Sequence, residues 1–174
     1  TELLERAVRA LKEGRKVDLD APLEHGPEID LHMPALLPAD YIDDVHLRLT
    51  LYKRIASAKD RGQLDELQVE MIDRFGLLPP PAKTLFRIAE LKLKAAPLGV
   101  RKIEANASGG RILFSNTTRV EPMTVIRMIQ QQPKQYRLDG QDRLRFTHEL
   151  PDAEQRIAAV EALLARLGDA AAAA

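Results

Sequence analysis

Apolar and polar residues follow two periods along this chain. From Leu47 to Leu91 the period is helical and is broken twice, at Asp60-Arg61-Gly62 and at Gly76 followed by Pro79, Pro80 and Pro81. That predicts three consecutive helices. In the middle one, about Gln63 to Phe75, a rotation of ~100° per residue gathers Leu64, Leu67, Met71 and Phe75 into one arc flanked by Ile72. Glu66, Glu70 and Asp73 cluster on the far side, with Arg74 at the edge. The helix before it starts at Asp40, with Ile42, Val45, Leu49, Tyr52 and Ile55 inward. Its first turn would hold Asp40, Asp43 and Asp44, where the helix dipole favours them. The prolines open the third, whose buried stripe would be Ala82, Leu85, Phe86, Ala89, Leu93 and Ala96.

Period two governs the rest. Ile29, Leu31 and Met33 alternate with polar residues between Pro27 and Pro34, the pattern of a half-buried strand. Val100 to Ala105 and Arg111 to Ser115 read as a hairpin looped through Asn106 to Gly110. Tyr136 to Gly140 and Arg143 to Phe146 read as a second, with Leu144 and Phe146 on one face and Arg143 and Arg145 on the other. Between the hairpins, a short helix from Glu121-Pro122 would turn Met123, Ile126 and Ile129 inward; a last helix from Pro151 would bury Ile157, Val160, Leu164 and Leu167. The sum is an α+β fold: a small antiparallel or mixed sheet of short strands packed against a helical layer. Its domain would span residues 28–169, after a helix over 1–14 and a linker over 15–27, with a frayed alanine-rich tail over 170–174.

Composition narrows the chemistry. Hydrophobic residues make up 45% of the chain without a single tryptophan, so aliphatic side chains must form the core. The absence of cysteine removes disulfides and thiolate metal sites and fits a reducing, cytoplasmic setting. No apolar run reaches the ~18 residues of a membrane span. Net charge is zero but unevenly placed: eight acidic and no basic residues lie between Asp18 and Asp44, against seven basic and three acidic between Arg111 and Thr147. Such asymmetry points to oriented contact with a charged partner or between halves of the fold.

Catalytic groupings are missing from the pattern. The four histidines are scattered, and none pairs at i, i+4. Gly109-Gly110 leads into a strand and not the helix a phosphate cradle requires. Asp65-Glu66-Leu67-Gln68 resembles a Walker B box, but it sits inside an amphipathic helix with no phosphate-binding loop to partner it. The expectation is a domain without catalysis, metal or cofactor. One binding alternative stands: Tyr136, Arg137, Arg143 and Arg145 could contact nucleic acid, by phosphate pairing and base stacking.

Three segments occur in a telling order: Leu51-Tyr52-Lys53-Arg54-Ile55-Ala56, Ile72-Asp73-Arg74-Phe75-Gly76-Leu77-Leu78-Pro79, and Tyr136-Arg137-Leu138-Asp139. Together they resemble the C-terminal domain of the bacterial transcription-repair-coupling factors, over about Glu28 to Leu167. The resemblance implies a non-catalytic, autoinhibitory domain of an ATP- and Mg²⁺-dependent DNA translocase. In that family the translocase displaces stalled RNA polymerase and recruits UvrA for nucleotide excision repair. The C-terminal domain masks the UvrA-binding module of the same polypeptide, and direct DNA binding is not its expected role. The resemblance places Glu70, Asp73 and Arg74 at that contact, with Glu66 as a further contributor. Residues 1–14 resemble the helix leaving the motor.

Overall fold

The computed structural model describes residues 26–173, with side chains through residue 168. The expected helix over 1–14 and most of the linker lie outside them. In order come β1 (Glu28–Asp30), α1 (Val45–Ala56), α2 (Arg61–Phe75), α3 (Pro80–Ala95), a 3-10 turn (Ala96–Leu98), β2 (Val100–Asn106), β3 (Gly109–Phe114), α4 (Pro122–Gln131), β4 (Tyr136–Leu138), β5 (Arg143–Thr147) and α5 (Ala153–Ala173). The strands form one mixed sheet in the order β1-β2-β3-β5-β4, parallel only between β1 and β2. This is the expected α+β architecture.

Two apolar clusters share one helix. The first is helical: Leu51 and Ile55 of α1 and Leu64, Leu67 and Met71 of α2 pack on Ala82 and Phe86 of α3. The second lies under the sheet, where Ile103, Ile112, Leu144 and Phe146 meet Ile157, Val160, Leu164 and Leu167 of α5. Ile88, Leu91 and Ala95 join α3 to this second cluster. The single stripe expected of α3 is therefore two stripes, and Ala96 is exposed. A helix wedged between two cores is apolar on both sides.

Other departures have local causes. The strand expected through Met33 stops at Asp30, because His32 turns to φ 52 with its N–H donating to Asp30 Oδ1 at 2.9 Å. Arg156 of α5 then donates to the freed Leu31 and His32 carbonyls at 3.1 and 3.2 Å. α1 starts five residues after Asp40, at Val45. Asp44 is its N-cap, accepting from His46 and Leu47 N–H at 2.8 and 3.1 Å, so Asp40 and Asp43 precede the helix. Gly109 and Gly110 belong to β3 and leave Ala107-Ser108 as the turn. A Cβ on Gly110 would lie 2.0 Å from the Glu104 carbonyl oxygen, so the ladder itself requires glycine there. On α4, Val125 and Met128 are buried, whereas Met123 and Ile126 face out.

Candidate docking surface

α2 is fixed at both ends and along one side. Asp60 caps it by accepting from Gln63 N–H at 2.8 Å, and Gln63 Oε1 accepts from Lys59 N–H at 2.9 Å. At the other end Gly76, at φ 93, ends the helix with its N–H on the Ile72 carbonyl at 2.9 Å. Tyr41 locks that corner: its hydroxyl donates to the Gly76 carbonyl at 2.8 Å, and its ring meets Phe75 edge-on at 6.0 Å. Burial raises the Tyr41 phenol above its ordinary pKa, which keeps it a donor.

With Leu64, Leu67 and Met71 committed inward, the outer face of α2 is set by helical geometry. Glu66, Val69 and Asp73 stand at i, i+3 and i+7, one stripe along the exposed side. Glu66 and Asp73 are exposed and have no ion-pair partner among the described residues. Val69 between them is 60% exposed, and Ile72 and Leu77 continue the apolar surface, Leu77 at 83%. An open notch of ≈ 560 Å³ borders the stripe, between Arg54, Ser57 and Ala58 on one side and Gln63, Glu66 and Glu70 on the other.

The four expected docking residues thus differ in their state. Glu66 and Asp73 have no ion-pair partner among the described residues. Glu70 is engaged by Arg54 of α1, a short charge-assisted contact. Arg74 lays its guanidinium over the Phe75 ring at 4.9 Å. Sequence reasoning missed Val69. Its signal was available: an aliphatic residue sits well over ~100° from the centre of the buried arc, where no core demands it. The pairing of Arg54 with Glu70 depends on how α1 crosses α2, which periodicity does not encode.

The alternative nucleic-acid set is divided by the sheet. Arg137, Arg143 and Arg145 are exposed, but Tyr136 is only 8% exposed and faces the helices. It pairs across the strands with Phe146, and Arg166 of α5 stacks over its ring at 5.7 Å. The four therefore do not form one surface, because residues that alternate along a strand alternate between faces.

Asp30, His32 and Glu104 are the one group among the described residues whose donor atoms converge closely enough for a metal ion. Glu104 there is already held by Arg111, with Nε and Nη2 donating at 3.0 and 2.9 Å, and by His32 Nε2 at 3.1 Å. The hydrogen bonds from His32 and then Arg111 hold its carboxyl below the ordinary value. The arrangement is that of an ion-pair cluster between β1, β2 and β3.

Against this geometry stand the similarities to known proteins. Residues 31–125 match the family model for the TRCF domain. The transcription-repair-coupling factor of Escherichia coli (strain K12) is 51% identical over 156 residues, covering 90% of this chain. That of Haemophilus influenzae is 48% identical over 163 residues, covering 94%. The chain spans 14% of the length of each of these relatives. A crystal structure of the C-terminal domain of transcription-repair coupling factor superposes with a TM-score of 0.65 at 24% identity, covering 83% of this chain and 95% of that one, a likeness of fold. More than half of the chain lying within one family model, the chain belongs to the TRCF-domain family and carries the TRCF domain of a transcription-repair-coupling factor.

Proposed function

We propose that this chain is a non-catalytic docking domain that holds a transcription-repair-coupling factor in a restrained state. The outer stripe of α2 packs on the UvrA-binding module of the same polypeptide and keeps it from UvrA. Release of that contact, when the full protein engages RNA polymerase, frees both UvrA recruitment and the ATP-driven translocase for transcription-coupled excision repair in the cytoplasm. ATP and Mg²⁺ belong to the motor in this scheme, and no cofactor belongs to the docking domain.

The observation that carries the reading is Val69, exposed at 60% between the carboxylates Glu66 and Asp73, which have no ion-pair partner among the described residues. Aliphatic surface ringed by charge is the anatomy of an interface, with a small apolar centre and a polar rim that selects the partner. A latch that must reopen needs modest net energy. Carboxylates paired with a partner's arginines, after desolvation, supply orientation more than strength. The relatives named above and the match to the TRCF domain support placing that latch in a coupling factor.

The test is UvrA binding by the full-length protein carrying Glu66→Ala with Asp73→Ala. UvrA affinity rises while the melting temperature of the isolated chain stays put. Unchanged UvrA affinity would remove α2 from the latch. Glu70→Ala is a weaker probe, because it also breaks the pair with Arg54.

A further inference from the structure

Among the described residues, helices cover the sheet on one side alone: Ile103, Ile112, Leu144, Phe146 and Tyr136 point to that side and are buried. On the other side, directly paired residues form a row across the strands: Asp30, Glu104, Arg111, Arg145 and Arg137. Charge runs along it from acidic to basic. Glu104 engages Arg111, but Arg145, Arg137 and the neighbouring Arg143 have no carboxylate partner among the described residues. Arg145 stands directly opposite Arg137, a like-charge cross-strand pair that costs stability unless an anion sits between. A shallow depression of ≈ 460 Å³ is lined by Arg111, Arg145, Gly109, Gly110, Ser108 and Thr147, and by Glu104, whose carboxylate is paired with Arg111.

We propose that this uncovered sheet face binds the phosphate backbone of duplex nucleic acid, with Arg137, Arg143 and Arg145 as the phosphate contacts and the glycine-lined depression admitting one phosphoryl group. Chemistry separates this occupant from an acidic protein. Interfaces between proteins rest on buried apolar or aromatic anchors, and the one large apolar side chain in the paired rows of this face, Leu113 opposite Arg143, is only half-exposed; Leu138 pairs with Leu144 in the inward row, and the exposed large apolar side chains elsewhere lie on helices and loops. Arginine, hydroxyl and bare backbone are the groups that contact phosphate. Single strands additionally need aromatic platforms, and Tyr136 and Phe146, the aromatic residues of these two strands, are both turned into the core. Binding is therefore sequence-independent and favours duplex. It is separate from the α2 latch and does not depend on it.

Fluorescence anisotropy of the whole chain with a labelled ~20-bp duplex, the matching single strand and polyglutamate tests this. Three phosphate contacts predict an affinity that falls about 40-fold between ~50 and ~200 mM salt. Arg137→Ala with Arg143→Ala and Arg145→Ala lowers duplex affinity at low salt by about 10-fold or more, with the melting temperature kept. Glu66→Ala with Asp73→Ala leaves it unchanged. The proposal is overturned by absent duplex binding at low salt, by a triple variant that binds as well as the parent, or by single strand binding tighter than duplex. Polyglutamate binding as tightly as duplex also overturns it, in favour of an acidic protein partner.

Discussion

The outer face of α2 and the outer face of the sheet are both charged surfaces left over after the cores are filled, yet they are built on different principles. On α2 the exposed carboxylates Glu66 and Asp73 enclose an exposed aliphatic residue, Val69. On the outer face of the sheet, arginines stand beside hydroxyls and glycine, and the large apolar side chain among them, Leu113, is only half-exposed. The contrast teaches that sign and density of charge do not identify a partner. What lies between the charges does, because only apolar surface gains from leaving water. A face with such a centre suits another folded protein; a face without one suits an anionic polymer.

The two regions also rest on separate clusters joined through α3, and the largest predicted effect tests that junction. Phe86→Ala removes the largest fully buried side chain of the helical cluster and should cost about 3–5 kcal/mol. Native-state hydrogen exchange should then show α1 and α2 opening at lower free energy than β2, β3 and β5. Equal loss of protection at both ends would make the molecule one cooperative core. Next, Gly110→Ala forces a Cβ against the Glu104 carbonyl, at 2.0 Å, and should cost about 1–3 kcal/mol by urea denaturation. It disturbs the sheet face and leaves docking through α2 intact.

Asp73→Arg should weaken binding to the UvrA-binding module by about 1–3 kcal/mol, roughly 5- to 150-fold, measured by calorimetry, with duplex affinity unaltered. Asp60→Ala removes the cap of α2 and should lower stability by about 1 kcal/mol in thermal melts. The smallest effect is a pH effect. Lys94, at 2.9 Å, and Arg87, at 3.2 Å, tie Glu161 of α5 to α3 and hold its carboxyl below the ordinary value, the Lys94 hydrogen bond being the main cause. A depressed carboxyl contributes fully above its unfolded-state value of ~4.3 and loses that contribution as pH falls through the lower folded value. Glu161→Gln should therefore cost under about 1 kcal/mol at neutral pH, since the pair is partly solvated, and nothing in strong acid. Denaturation curves across that range read it directly.

Much of the fold was written in the period of the sequence. Leu64, Leu67 and Met71 on α2, and Ile157, Val160, Leu164 and Leu167 on α5, are buried where their spacing puts them. Arg143 and Arg145 alternate outward against Leu144 and Phe146 as a period of two requires. What periodicity does not encode is what lies on the far side of an element. The second stripe of α3 exists because another core touches it, and the early end of β1 because Arg156, distant in sequence, takes over the carbonyls of Leu31 and His32. The outer face of α2 was partly legible in the same way. Glu66 and Asp73 could be placed outward by rotation alone, whereas the capture of Glu70 by Arg54 is a tertiary contact between helices. Tyr136 was grouped with its sequence neighbours although the pleat sends it to the other side.

Titration calorimetry of this chain against the isolated UvrA-binding module, at low and high salt, addresses the docking claim most directly. One-to-one binding that weakens with salt and is lost in Val69→Ser with Asp73→Arg, at unchanged melting temperature, is the predicted result. Binding of equal strength by parent and variant, or none by the parent at any salt concentration, would contradict it.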